Sequence, residues 1–95
     1  MKTIKNLQNE YRVLSEQNGW DKESVRDIML LLTEEIGELA RAVRKHEGIK
    51  RDGKFDVELP DELADVMIYL IHLANTVNVD LGDAVIKKID KNSKK

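Results

Sequence analysis

The chain has 95 residues, of which 36% are charged, with 18 acidic side chains against 16 Lys and Arg and no cysteine. This length fits a single domain covering residues 1–95, and the lack of cysteine excludes disulfides and thiolate metal sites. A net charge of −2 gives no general basic field for a nucleic acid polymer, and no apolar run resembles a signal peptide or a membrane span. The composition therefore predicts a cytoplasmic protein that binds neither nucleic acid polymers nor membranes.

Four helices and no strands are predicted in chain order. The Asn18–Gly19 pair is a left-handed stop after the first helix. Ser24 with Asp27 three residues later resembles a capping box that opens the second. Pro60 suits the first position of the third helix, and Asp80 is a suitable N-cap for the fourth. The predicted helices are residues 3–17, 24–45, 60–77 and 81–92, with a loop at 46–58 around two glycines.

The third predicted helix is apolar on more than one side. One stripe should face the other helices of a four-helix bundle, and a second apolar side needs separate cover. In so short a chain, another copy of the same chain is the simplest cover, so we expect a homo-oligomer with a symmetric dimer as the minimum. The stripe comprises Leu59, Leu63, Val66, Leu70, Leu73 and Val77, and the second side comprises Ala64, Ile68 and Ile71.

The stretch "LLTEEIGELARAV" places acids where the second helix should be apolar. At roughly 100° per residue, Glu35 falls between Leu31 and Leu39 on the stripe that begins at Ile28. Glu38 lies one turn further on, at the edge of that stripe. A carboxylate directed at the core is costly, so its placement needs a cause.

The third helix repeats this feature, because Glu62 and Asp65 lie on one flank of its stripe, with Tyr69 one turn later. If the two helices face each other, the carboxylates of Glu35, Glu38, Glu62 and Asp65 converge. Such pairs are common on solvated surfaces, and the position of Glu35 is what favours a metal site. Oxygen ligands without Cys or His suit Mg²⁺, with Mn²⁺ or Ca²⁺ as substitutes.

A di-iron carboxylate bundle is excluded by spacing, because neither His46 nor His72 follows a glutamate by three residues. Magnesium sites set among helices commonly act on phosphates. Basic side chains in the last predicted helix, Lys88, Lys91 and Lys94, could neutralise a leaving polyphosphate, although such residues also occur as an ordinary solvated helix end.

The sequence "EEIGEL", followed after 22 intervening residues by "ELADVMIYL", resembles the MazG-like, all-α nucleoside triphosphate pyrophosphohydrolases. "VDLGDAV" and "KKIDKN" are similar to segments of the dCTP pyrophosphatase group within that family. The resemblance runs from about Trp20 to Asn92. It implies Mg²⁺-dependent cleavage between the α and β phosphates, which gives a monophosphate and pyrophosphate. The implied substrate is a nucleoside triphosphate, such as dCTP or a modified pyrimidine deoxynucleotide. The implied assembly is a homodimer or a tetramer built from two dimers, which agrees with the second apolar side of the third helix.

The same resemblance assigns individual residues. It implies Glu35, Glu38, Glu62 and Asp65 as metal ligands, with Glu34, Glu35 or a bound water as the general base. Tyr69 matches a nucleotide-contacting tyrosine, and Trp20 matches a base-stacking tryptophan, although a structural anchor is an equal explanation for Trp20. Polar contacts to the nucleotide are implied for Lys88 and Asn92.

Two other functions stay open: a phosphoribosyl-ATP pyrophosphohydrolase of the same fold, and a helical association module without catalysis. Lys45 replaces an aromatic residue typical of the dCTP-like group, which leaves base recognition undecided. His46 and His72 are expected at the surface or half-buried, and Met29 and Met67 in the core.

Overall fold

Four α-helices make up most of the computed structural model, which describes residues 1–47 and 58–94. A short 3-10 turn, Trp20–Lys22, separates the first two helices. All four predicted helices are confirmed, and residues 1–47 and 58–94 contain no strand. The helices are α1 (Ile4–Asn18), α2 (Val25–His46), α3 (Glu58–Thr76) and α4 (Leu81–Ser93).

Side chains cap the helix starts as the sequence suggested. The Ser24 side chain accepts a hydrogen bond from the N–H of Asp27, and Asp80 is the N-cap of α4. A reciprocal capping box also opens α1, where Thr3 and Asn6 each accept from the other's backbone N–H. Each cap satisfies a backbone donor that the first helical turn leaves without a partner.

Residues with positive φ end α1 and α3. Gly19 has φ 78° and is the C-cap of α1, which confirms the predicted left-handed stop. Asn78, with φ 59°, lies in the turn between α3 and α4, where an asparagine tolerates the left-handed region.

The start of α3 differs from the prediction, because Pro60 is the third residue of the helix instead of the first. Proline is still tolerated there, since the N–H groups of the first turn have no intrahelical partner. The predicted loop at 46–58 overlaps both helices, because α2 ends at His46 and α3 begins at Glu58. Its middle, residues 48–57, lies outside the described residues.

The main packing unit is the antiparallel pair α2 and α3. Near the end of α2, Nζ of Lys45 lies 2.9 Å from a carboxylate oxygen of Glu58, at the start of α3. The apolar core between the elements is small, as expected for this length. Its buried apolar residues are Ile28, Leu32, Ala42, Ile71 and Ala74.

A buried amide joins α1 to the turn between α3 and α4. Nε2 of Gln8 donates to Oδ1 of Asn75 at 3.0 Å and to the carbonyl of Val79 at 2.9 Å. Oε1 of Gln8 accepts from the N–H of Leu81 at 2.9 Å. One side chain, 4% exposed, thus fixes the start of α4 relative to α1.

Helix α4 projects from the rest of the chain. Its start packs on the start of α1, where Gly82 allows a close approach of Ile4 and Asp80 lies 3.8 Å from Lys5. Beyond that contact, Ile86 is 69% exposed and Ile89 is 63% exposed. The radius of gyration is 15.7 Å, whereas a compact domain of this length has about 12 Å. Within one chain, the helices of residues 1–47 and 58–94 therefore do not form a closed four-helix bundle.

Burial corrects several expectations from the helical pattern. Ile71 is buried within the chain at 4% exposure, so it is not part of an exposed strip with Ala64 and Ile68. Met29 is 46% exposed, which contradicts its assignment to the core. His72 is 2% exposed, whereas it was expected at the surface or half-buried. Period alone could not decide which apolar side of α3 the other helices of the same chain would cover.

The expected inward stripe of α3 is also partly wrong, since Leu63, Leu70 and Val77 are 53%, 38% and 45% exposed.

None of the helices among the described residues is both long and apolar enough to span a membrane.

Candidate active site

Three acidic side chains converge between α2 and α3. Glu35 comes from α2, while Glu62 and Asp65 come from successive turns of α3. One carboxylate oxygen of each lies within 4.8 Å of the others. The antiparallel packing of the two helices creates this arrangement, since residues three apart on α3 project on one side. All three residues are half-buried.

Crowding makes the charged forms of these acids unfavourable. Burial raises the pKa of Glu35, and the neighbouring charges of Asp65, Glu38 and Glu34 raise it further. The pKa of Glu62 is also raised, first by desolvation and then by Glu35 and Asp65. Both causes disfavour negative charge, so a bound cation would relieve them.

Glu38, the fourth predicted ligand, is not part of the converging set. Its carboxylate binds the guanidinium of Arg41 one turn later, at 2.6 Å. The charge of Glu38 still contributes to the raised pKa values of Glu35 and Glu62, so it lies close to the cluster. Glu34, a predicted general base, is exposed on α2 beside Glu35. The role of Glu38 as a metal ligand therefore stays a prediction.

The donor set fits a hard divalent cation. Carboxylate oxygens alone form the cluster, and such ligands are the ones that Mg²⁺ and Mn²⁺ prefer. Surface acids without this convergence would show no shared rise in pKa.

A cleft of about 300 Å³ lies next to the cluster, lined by Tyr11, Trp20, Glu23 and Tyr69. The rings of Tyr11 and Trp20 are stacked, with centroids 6.1 Å apart and an interplanar angle of 26°. Trp20 keeps 39% of its surface exposed although it packs against Tyr11. An aromatic wall that is partly open to solvent is suited to stacking a flat ring.

Tyr69 connects the cleft with the cluster. Its pKa is raised by desolvation first, and then by the charges of Glu35, Glu23 and Asp65. The phenol therefore stays protonated and can donate a hydrogen bond at neutral pH. A molecule that extends from the cleft to the carboxylates would contact Tyr69.

The predicted contacts on α4 are not brought to the cluster within one chain. Lys88 and Asn92 lie on the exposed part of α4, beyond its contact with α1. Lys94 is paired with Asp90 at 3.2 Å on the same helix. The roles implied for Lys88 and Asn92 thus stay predictions.

Tyr11, Glu23 and His72 lie near the site, although no motif in the sequence marked them as site residues. Nε2 of His72 lies 3.0 Å from Oε1 of Glu23, and the His72 ring meets Tyr11 edge-on with centroids 5.4 Å apart. Glu23 precedes α2 and His72 lies near the end of α3, so 49 residues separate them in the chain. Only the packing of the helices makes them neighbours.

The fold and site define an all-α protein in which two antiparallel helices carry an acidic cluster beside an aromatic cleft. The family model for the MazG nucleotide pyrophosphohydrolase domain matches residues 23–95. The chain belongs to this family.

Relatives agree with this assignment. The dCTP pyrophosphatase 1 proteins of Mus musculus and Homo sapiens are 31% and 30% identical, over 95% and 98% of this chain. The chain spans only 56% and 58% of the lengths of those two proteins. YpjD of Bacillus subtilis is 38% identical over 87% of this chain and 77% of its own length. The crystal structure of YpjD has a TM-score of 0.87 and 33% identity, covering 96% of this chain and 95% of that one.

Proposed function

We propose that the protein hydrolyses deoxynucleoside triphosphates between the α and β phosphates, with Mg²⁺, to a monophosphate and pyrophosphate. The observation that carries this proposal is the convergence of Glu35, Glu62 and Asp65 within 4.8 Å beside an aromatic cleft. Family membership supports it independently. The names of the dCTP pyrophosphatase relatives favour dCTP among the substrates. The absence of a membrane-spanning helix among the described residues is compatible with action on cytoplasmic nucleotides.

The cluster would hold the metal through Glu35, Glu62 and Asp65, with Glu38 as a fourth ligand after release from Arg41. When bound, Mg²⁺ neutralises charge that develops on the phosphate oxygens. Water attacks the α-phosphorus, a new P–O bond forms, and the bond to the bridging oxygen breaks, so that pyrophosphate leaves. Glu34 or Glu35 accepts the proton from this water.

The aromatic cleft would hold the nucleobase. Trp20 and Tyr11 offer a flat wall for stacking, and the phenol of Tyr69 can donate to the sugar or phosphate between the base and the cluster. This arrangement gives Trp20 and Tyr69 the roles that the sequence predicted for them.

The active protein would be a homodimer or a tetramer built from two dimers. Both α2 and α3 carry exposed apolar residues at intervals of seven, a spacing that favours helix-on-helix packing. A second copy packed on these stripes would remove them from water, and its α4 could bring Lys88 and Asn92 to the nucleotide. The stripes are Met29, Ile36 and Val43 on α2, and Leu63 and Leu70 on α3 with Val77 directly after it, each 38% to 53% exposed.

A panel of nucleoside triphosphates with and without Mg²⁺ tests the proposal. We expect pyrophosphate release that needs the metal and is lost in Glu62→Gln. A matched control is Glu16→Gln, which removes an exposed carboxylate on α1. An association module without catalysis would release no pyrophosphate from any nucleotide, including phosphoribosyl-ATP.

A further inference from the structure

Glu23 is held in place by a buried histidine. One carboxylate oxygen, Oε1, lies 3.0 Å from Nε2 of His72, whose side chain is 3% exposed while that of Glu23 is 35% exposed. Tyr11 packs edge-on against the His72 ring and restricts its orientation. The contact therefore fixes an otherwise flexible side chain at the wall of the aromatic cleft.

The second oxygen of Glu23 is available to a ligand. Across residues 1–47 and 58–94, no hydrogen bond joins Oε2 to another protein group, and Glu23 lines the cleft together with Tyr11, Trp20 and Tyr69. Its charge reaches Tyr69 and Tyr11, since it helps to raise the pKa of both phenols. A ligand stacked on Trp20 would thus present its edge to a fixed carboxylate.

An ionised carboxylate accepts hydrogen bonds and cannot donate one. It attracts the exocyclic amino group of cytosine, and it repels the keto oxygen that uracil and thymine carry at the same position. Accepting from N3–H of uracil instead would bring the two flanking keto oxygens toward the same negative charge. A hydrogen bond between an amino group and a charged acceptor discriminates by about 10- to 100-fold.

We propose that Glu23 is a specificity-determining residue, which selects nucleotides whose base carries an exocyclic amino group over their keto counterparts, and that His72 is its positioning residue. The inference rests on the proposed function in taking the cleft as the base subsite. It adds a selection between cytosine and uracil nucleotides, which carry an amino group and a keto oxygen, respectively, at C4 and differ also in the hydrogen on N3 of uracil.

The ratio of kcat/KM for dCTP to that for dUTP tests the role of Glu23. In Glu23→Gln the side-chain amide can accept from an amino group or donate to a keto oxygen, so we expect the ratio to fall at least 10-fold, mainly through KM. Asp21→Asn is the matched control, because it removes an exposed charge two residues away and outside the cleft. An unchanged ratio in Glu23→Gln would overturn the proposal.

His72 needs a separate test, because its burial also stabilises the fold. His72→Leu removes the hydrogen bond, while His72→Gln keeps a donor on a side chain of similar reach. We expect the dCTP preference to fall in His72→Leu and to recover in His72→Gln, with kcat for dCTP retained and helicity confirmed by circular dichroism. A folded His72→Leu protein with full preference would refute the positioning role.

A binding measurement separates this inference from the proposed reaction. Trp20 is the one tryptophan of the chain, so its fluorescence reports occupation of the cleft by dCMP or dUMP without turnover. A lower Kd for dCMP than for dUMP, with the difference lost in Glu23→Gln, would support the inference even if no nucleotide were hydrolysed. Pyrophosphate release with equal binding of dCMP and dUMP would support the reaction and overturn the inference.

Discussion

Glu35 on α2 and Glu62 on α3 place carboxylate oxygens within 4.8 Å of each other, although neither has a cationic partner among the described ion pairs. Both carboxylates are partly desolvated, the charge of Glu35 raises the pKa of Glu62, and the charge of Asp65 raises the pKa of both. The metal-free chain therefore holds an unfavourable arrangement in place, which is common at sites kept for function.

This repulsion predicts the pH dependence of stability. Both acids have an ordinary pKa of 4.5 when unfolded and a raised pKa when folded. Between these values the folded state binds more protons, so their contribution to the free energy of unfolding falls as pH rises. Without metal, the Tm of Glu62→Gln should fall less between pH 4.5 and 7 than the Tm of Glu16→Gln does. Equal pH profiles for the two variants would argue against crowding at the cluster.

Mg²⁺ should stabilise the chain through the same residues. At about 100 times its dissociation constant, a ligand that binds only the folded state adds roughly 2.7 kcal/mol. We expect millimolar Mg²⁺ to raise the Tm of the unmodified protein and of Glu16→Gln, with little effect on Glu62→Gln or Asp65→Asn. Differential scanning calorimetry with and without the metal measures this response. A Tm that is the same with and without Mg²⁺ would count against the metal site.

Gln8 should be important for stability without touching the cluster. Gln8→Leu keeps the side-chain volume but removes hydrogen bonds to Asn75, Val79 and Leu81. We expect a loss of about 2 kcal/mol in the free energy of unfolding, since buried partners are left unsatisfied. Gln17→Leu, on an exposed position of the same helix, is the control. Urea denaturation of both variants compares them, and equal midpoints would contradict the account.

Assembly through the two apolar stripes gives a fourth prediction. Leu70→Asp would place a charge in the interface, so the association of two copies should weaken by at least 100-fold, about 2.7 kcal/mol. Val13→Asp changes a residue that is 54% exposed on α1 and should leave association unaltered. Sedimentation equilibrium at micromolar concentration provides the mass. A single-chain mass for the unmodified protein would exclude the proposed dimer.

Local chemistry in the sequence predicted the helices well. Caps at Ser24 and Asp80 and the glycine stop at Gly19 act within a few residues, so the chain itself contains their cause. The inward position of Glu35 also followed from its period on α2, and the structure brings it to Glu62 and Asp65.

Contacts between distant segments of the chain could not be predicted from local sequence. The pairing of Glu23 with His72 depends on how α2 meets α3, and the ion pair of Glu38 with Arg41 depends on a rotamer choice. The apolar sides of α3 were equally ambiguous, because helical period does not say whether the same chain or another copy covers each side. Burial of Ile71 and exposure of Leu63 resolve that choice.

The products of dCTP hydrolysis test the central claim most directly. Phosphorus NMR of a reaction with Mg²⁺ should show dCMP and pyrophosphate as the first products, because attack falls on the α-phosphorus. Glu35→Gln should keep the helical fold and lose at least 100-fold in turnover, about 2.7 kcal/mol in the barrier. Orthophosphate with dCDP as the first products, or a Glu35→Gln protein with full turnover, would contradict the account.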